Sequence, residues 1–195
     1  MKREEWKSEQ PQMNVNHLVF IDESSICTGM TRHYGRGLGG ERVVDHTPDV
    51  RSERTTILSS VRASGELVPC LFEGSLNGEI LVLCTKYAVF TKYISEFLAP
   101  TLKEGDIVVM DNLSSHKVKG VIEPIIAVGA KVVYLPPYSP DLNPIEMMWS
   151  KIKAYLRKAK ARTKELLEKA MEVALNSITV ADILGWFKEN GYGKQ

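Results

Sequence analysis

Three acidic residues stand where apolar runs give out. Asp22 closes HLVFIDES, Asp111 closes DIVVMDN, and Glu146 lies in SPDLNPIEMMWSKIK, with 34 residues between Asp111 and Glu146. Carboxylates gathered into one place resist joint ionisation unless a cation neutralises them. A set of hard oxygen donors suits Mg²⁺ or Mn²⁺, which take one or two carboxylates, keep several waters and bind phosphates. Each acid also has a plainer reading. Asp22 can end a strand and bond the following loop, and Asp111-Asn112 can open a turn. Asn143, Pro144 and Glu146 have the spacing of an N-cap, a first-turn proline and a capping-box acid. Residue type leaves both readings open, so the elements that carry the acids must decide.

HLVFIDES has the pattern of a buried strand whose last residues emerge at a sheet edge. RHYGRGLGGER, with four glycines, is expected to be a loop or a sharply bent hairpin. RTTILSSVRASGELVPCLFEG holds two β-rich stretches around Ser64-Gly65, the arrangement of an antiparallel hairpin. Phe90, Tyr93, Ile94, Phe97 and Leu98 fall on one helical face that Pro100 closes, while the apolar run from Ile80 to Cys84 fits a strand or an early helix turn equally well. DIVVMDN reads as a fourth strand, SHKVKGVIEPIIAVG as a helix ending at Gly129 despite Pro124, and KVVYLP as a fifth strand, which makes a parallel β-α-β unit. Helices follow from Pro144 to about Lys160, from about Lys164 to Asn176, and near Ala181 to Glu189.

The expected fold class is therefore α/β: a five-stranded mixed sheet, three antiparallel strands and then parallel β-α-β, flanked by helices. That element order resembles the ribonuclease H-like fold. It puts Asp22 and Asp111 at the carboxyl ends of two strands, where ligand sites of open α/β sheets gather. The 195 residues, 44% of them hydrophobic, suffice for one well-buried core. Residues 1–16 are polar and read as a lead-in or linker without a core of their own, residues 17–165 as the main domain, and residues 166–195 as a C-terminal helical extension. The extension carries an amphipathic pattern, Leu166, Leu167, Ala170, Val173 and Ala174, suited to packing onto the domain or a second subunit. Cys27, Cys70 and Cys84 have no C-x-x-C spacing and fit reduced, buried thiols, which argues against a zinc site. With no signal-like or membrane-length apolar stretch, the expected location is the cytoplasm and no membrane partner is expected.

FIDES, VVMDNLSSHK and YLPPYSPDLNPIEMMWSKIK, in this order, resemble the signature of insertion-sequence transposases in the superfamily that includes mariner. The bacterial insertion-sequence family numbered 630 is the nearest likeness, an Asp-Asp-Glu type. The similarity runs from about His17 to Arg157 and takes in YGRGLGGERV, GELVPCLFEGSLNG and APTLKEGDIVVMDN. It implies that Asp22, Asp111 and Glu146 are catalytic and hold two Mg²⁺ or Mn²⁺ ions, which clamp the attacking and leaving oxygens of a phosphodiester. Asn112 and His116 match the family's D-N-x-x-x-H pattern and are expected to line the site. The implied activity is phosphodiester hydrolysis and strand transfer at transposon ends. Two other readings share the residues: a catalytically silent DNA-binding or assembly remnant, and a ribonuclease H-type nuclease that only hydrolyses.

Charge is nearly balanced overall, 25 Lys plus Arg against 24 Asp plus Glu, but seven bases and no acid lie between Lys151 and Lys164. Lys151, Lys153, Arg157 and Lys158 are candidates to neutralise DNA phosphates beside the site, and Arg36 in the glycine-rich loop is a further one. The alternative is a solvated helix face. Trp149, one turn beyond Glu146, is expected to pack in the core. Members of the resembled family carry helix-turn-helix modules ahead of the catalytic domain, and the 16 residues before the first strand leave no room for one. Expected partners are transposon-end and target DNA, a second copy of the chain, and a separate DNA-binding chain.

Overall fold

A computed structural model describes residues 3–32, 34–47, 52–73 and 88–193. Its sheet has the strand order β3-β2-β1-β4-β5, built from β1 (Leu18–Cys27), β2 (Arg54–Arg62), β3 (Cys70–Glu73), β4 (Ile107–Met110) and β5 (Lys131–Tyr134). β1 to β3 form the expected antiparallel meander, turning at Gly65 with a φ of 96° that suits glycine. β1 then pairs in parallel with β4, and β4 with β5. The ribonuclease H-like arrangement read from the sequence is the one observed. The run from Ile80 to Cys84 lies outside the described residues.

Five α-helices cover the sheet among the described residues: α1 (Arg3–Glu9), α2 (Lys119–Ala127), α3 (Pro144–Ala159), α4 (Lys164–Asn176) and α5 (Val180–Glu189). A π-helical turn, Tyr93–Leu98, continues a helical stretch over residues 88–92, and Pro100 sits in the 3₁₀ turn that closes it. Its Phe90, Tyr93, Ile94 and Leu98 are buried as the periodicity requires, whereas Phe97 is 40% exposed. Pro124 lies inside α2, which is held by burial of Val121 and Ile125 and ends in a Schellman-type turn, with Ala130 N–H on Ile125 O and Gly129 N–H on Ile126 O.

Alternation along β1 divides the core. Leu18 and Phe20 point to one face, with Val109, Trp149, Ile152, Leu156, Leu167, Met171 and Phe187; Val19 and Ile21 point to the other, with Val108, Met110, Tyr93, Leu98, Val121 and Ile125. The even-numbered face of β1 is thus the face that α3 covers.

The amino-terminal end departs from expectation, whereas the C-terminal segment packs onto the domain, one of the two placements its amphipathic pattern suited. Residues 1–16, read as a lead-in without a core, include α1, whose Trp6 is completely buried in the α3-side cluster. The segment read as a C-terminal extension is part of the same core. Phe187 and Tyr192 pack edge-on against Phe20, with ring centroids 5.3 and 4.9 Å away. The physical reason is area: α3 alone leaves the even face of β1 uncovered, and α1, α4 and α5 complete it. Leu167 and Ala174 face this core, while Leu166 and Val173 are about half exposed. No single helix among the described residues is long and apolar enough to cross a membrane; α4 and α5 reach that length only as a pair bent by 78°.

Candidate active site

The register of the parallel pair positions the first two acids. Phe20 stands beside Val109, so two residues further along Asp22 stands beside Asp111, just past the last rung. Side chains alternate, and both aspartates therefore return to the face of Phe20 and Val109. That face lies under α3, which carries Glu146 in its first turn and Trp149 three residues on, on the same side of the helix. Trp149 is 2% exposed and donates Nε1–H to Asp22 Oδ2 at 3.2 Å, so it packs as expected and also fixes the carboxylate.

Asp22, Asp111 and Glu146 line one cleft of about 400 Å³, together with Asn112, Leu135, Tyr138, Ser139 and Asn143. A larger cavity of about 900 Å³, beside Thr28, His46, Glu53 and Arg162, holds none of the three acids. The capping reading of Glu146 does not hold. Asn143 occupies the N-cap position without a side-chain cap bond, its Oδ1 is buried without a partner, and only backbone links Glu146 N–H to Asn143 O. Freed from capping, the Glu146 carboxylate is exposed in the cleft.

The electrostatics follow from three acids sharing one cleft. Burial, then Glu146 and Asp111, push Asp22 up to about 7, against the weaker pull of the Glu23 amide (2.8 Å) and Trp149. Asp111 Oδ1 accepts from Leu113 N–H at 3.3 Å and lies 2.5 Å from His116 Nδ1. Nδ1 makes no hydrogen bond there, so the two groups are in contact without one. His116 was expected to line the cleft; instead it is 3% exposed and backs Asp111, stacked on Phe90 at 4.1 Å and 16°. The reason is that Ser114–His116 form a 3₁₀ turn that tucks the ring inward, and Tyr134 Oη holds its carbonyl at 3.0 Å.

Among the described residues no three His, Cys, Asp or Glu side chains converge closely enough to share a single ion. Asp22, coupled to both other acids, instead offers pairs of carboxylates, and hard cations that take one or two carboxylates with water and phosphate fit that donor set.

The basic candidates separate. Lys151 is tied to Asp182 Oδ2 at 2.6 Å and to Ser177 O at 3.1 Å, a pair of bonds that joins α3 to α5 and engages its charge within the protein. Lys160 pairs with Asp45 at 2.5 Å, and Arg162 donates to the carbonyls of Thr28 and Met30, fastening the loop after β1. Lys153 and Arg157 are half-buried and Lys158 exposed, all without an ion pair among the described residues. Arg36 is exposed in the glycine-rich loop and is not among the residues lining the cleft.

Tyr138 was missed. At the cleft lip its side chain is 97% exposed and its φ is 53°, a left-handed conformation that costs a non-glycine residue of order 1 kcal/mol. The sequence signal was an aromatic set between the prolines of LPPYSP.

Known proteins share the fold. The family described as DDE superfamily endonuclease matches residues 17–168. Among solved structures, the catalytic domain of Mos1 mariner transposase superposes with a TM-score of 0.61 at 14% identity, covering 95% of this chain and 83% of that one. The Mos1 paired-end complex with the left transposon end gives 0.66 at 15% identity and 98% coverage, and a Mos1 paired-end complex with Mn gives 0.64 at 16% and 95%. This chain spans 61% and 56% of those two longer chains. At such identities the likeness shows the fold. No curated protein sequence matches. With the family match covering most of its length and all three acids inside it, the chain belongs to the DDE superfamily endonucleases.

Proposed function

We propose that this chain is the catalytic part of a bacterial insertion-sequence transposase, of the family numbered 630, cutting and joining DNA at transposon ends with two Mg²⁺ or Mn²⁺ ions. The observation that carries the reading is the single cleft in which the β1–β4 register and the first turn of α3 bring Asp22, Asp111 and Glu146 together. Solved Mos1 structures include complexes with Mn and with Mg, which supports a divalent ion here.

What bound ions supply is neutralisation of the acids and in-line stabilisation of the attacking and leaving oxygens of a phosphodiester. The chain does the positioning. Asp22, held by Trp149 and the Glu23 amide, is the member shared between the two carboxylate pairs. Asp111 is steadied by His116 and by Leu113 N–H, which engage Oδ1 and leave Oδ2 for the cleft. Glu146 enters from a helix rather than a loop, and the buried Met148, Trp149 and Ile152 fix that helix on the sheet. Lys153, Arg157 and Lys158 supply phosphate neutralisation along α3, with Arg36 as an outer contact, and Tyr138 offers a stacking face at the lip. The reading places the protein in the bacterial cytoplasm, working as a homodimer on transposon-end and target DNA, with end recognition supplied by a helix-turn-helix module or a separate chain.

Mn²⁺-dependent nicking and strand joining on supercoiled plasmid DNA test this. Asp111→Asn is expected to keep the fold, judged by its circular dichroism, and to lose both nicking and joining. Wild-type-like cutting by Asp111→Asn would remove that residue from the site. Cut products without joined ones would leave a nuclease that only hydrolyses.

A further inference from the structure

The helix that the sequence presents as a lead-in grips the loop ahead of Glu146. Arg3 donates from Nη1 and Nη2 to the two carboxylate oxygens of Asp141, each at 2.8 Å, and from Nη1 to Ser139 Oγ at 2.9 Å. Trp6 donates Nε1–H to Tyr192 Oη at 3.0 Å, and Tyr192 donates in turn to Leu142 O at 2.8 Å. Gln10 Nε2 bonds Asn190 O at 2.9 Å and fastens the end of this segment to the end of α5. Three residues of the loop, Ser139, Asp141 and Leu142, are thus held by residues distant in sequence.

The loop's own bonds are short-range: Leu142 N–H to Ser139 O, Asn143 N–H to Pro140 O, and Ser139 Oγ–H to Pro137 O. They shape a turn but do not orient it against the sheet. Ser139, Pro140 and Asn143 line the cleft, and Glu146 N–H on Asn143 O couples the turn to the start of α3. A guanidinium forked onto a carboxylate fixes direction as well as distance. Solvent-exposed pairs add little stability, so the Arg3–Asp141 contact has geometry as its main effect.

We propose that α1 is a positioning element of the cleft: Arg3, and Trp6 through Tyr192, hold the Ser139–Asn143 loop so that Glu146 faces Asp22 and Asp111. This rests on reading the cleft as a metal-dependent phosphodiester site. Small displacements of a reacting constellation cost about 10²-fold in rate, and a loosened rather than displaced loop costs less.

The test uses the full chain in Mn²⁺ with supercoiled plasmid as the probe, measuring kcat and KM for nicking, the melting temperature, and amide hydrogen exchange over residues 139–146. Arg3→Glu and Asp141→Arg are each expected to lower kcat by about tenfold or more with KM and Tm held, and to speed exchange in the loop. The double variant, with the charges reversed, restores most of the rate and the protection. Tyr192→Phe keeps the ring packing and speeds exchange by removing the bond to Leu142. Wild-type kcat in Arg3→Glu, a rate loss that follows Tm, a double variant as slow as the singles, or unchanged exchange would each overturn the proposal. If even the wild type nicks nothing while loop exchange responds as described, the functional reading fails and the positioning role of α1 stands.

Discussion

The two ends of the β1–β4 pair treat a carboxylate in opposite ways. At the amino end Asp106 is 2% exposed; burial pushes its pKa up, but the Arg62 guanidinium at 2.8 Å, the Lys103 amide at 2.8 Å and His17 at 3.6 Å outweigh burial and hold it below the usual range. At the carboxyl end Asp22 is buried beside two more acids, and rises to about 7. One end is closed with the protein's own charges. The other gathers like charges in a cleft, and a group perturbed in that way is the physical mark of a candidate functional site.

Removing the key charge at each end sharpens the contrast. Asp22→Asn is expected to lower Mn²⁺-dependent plasmid nicking by at least about 10³-fold, since one carboxylate of each pair disappears. The same change is expected to stabilise the fold at pH 8 by about 1–2 kcal/mol in urea titrations, because it relieves a strained ionised group where activity and stability oppose. Arg62→Ala does the reverse. It strands the Asp106 charge and is expected to cost about 3–5 kcal/mol, whereas replacing both Arg62 and Asp106 by apolar residues of similar volume costs far less. Equal urea midpoints for Arg62→Ala and the wild type would break the comparison at its amino end.

The pH dependences also run oppositely. Asp106, with a lowered folded pKa, contributes stability above about pH 4 that is lost as pH falls through its folded value. Asp22 binds more protons folded than unfolded between about pH 4 and 7, so its contribution weakens stability as pH rises through that window. A divalent ion must displace that proton. Mn²⁺ at about 100 times its dissociation constant is expected to add about 2.7 kcal/mol at pH 8. Apparent affinity is then expected to fall by up to about tenfold per pH unit below 7. Calorimetric titration at pH 6, 7 and 8 checks this, and Asp22→Asn should abolish the slope.

The sheet and its carboxyl-end acids were legible because strand alternation and the β-α-β order are local patterns that fix which side chains share a face. Register then did what sequence reading assumed but could not see, setting Asp22 beside Asp111. The capping-box spacing of Asn143 and Glu146 was ambiguous because spacing carries no side-chain direction; the unpartnered Asn143 Oδ1 resolves it. The role of α1 was illegible since its contacts, Trp6 with Tyr192 and Arg3 with Asp141, join residues 186 and 138 positions apart. The place of His116 was equally hidden from spacing: the Ser114–His116 turn tucks the ring inward behind Asp111, and Phe90, from another segment, stacks on it.

The smallest effect concerns how the open end reaches a polyanion. Lys151 and Lys153 both belong to the basic run on α3, yet Lys151 spends its charge on Asp182 and Ser177 O while Lys153 and Arg157 have no ion-pair partner among the described residues. Each phosphate contact removed from duplex binding lowers the slope of log affinity against log salt by about 0.9. The double variant Lys153→Ala with Arg157→Ala should therefore flatten that slope by about 1–2 for a short duplex, measured by fluorescence anisotropy. Lys151→Ala should leave the slope alone and lower the melting temperature instead, as an α3–α5 tie would. If Lys151 moved the salt slope and Lys153 did not, the polyanion would lie across α5 rather than along the flank of α3 beside the cleft.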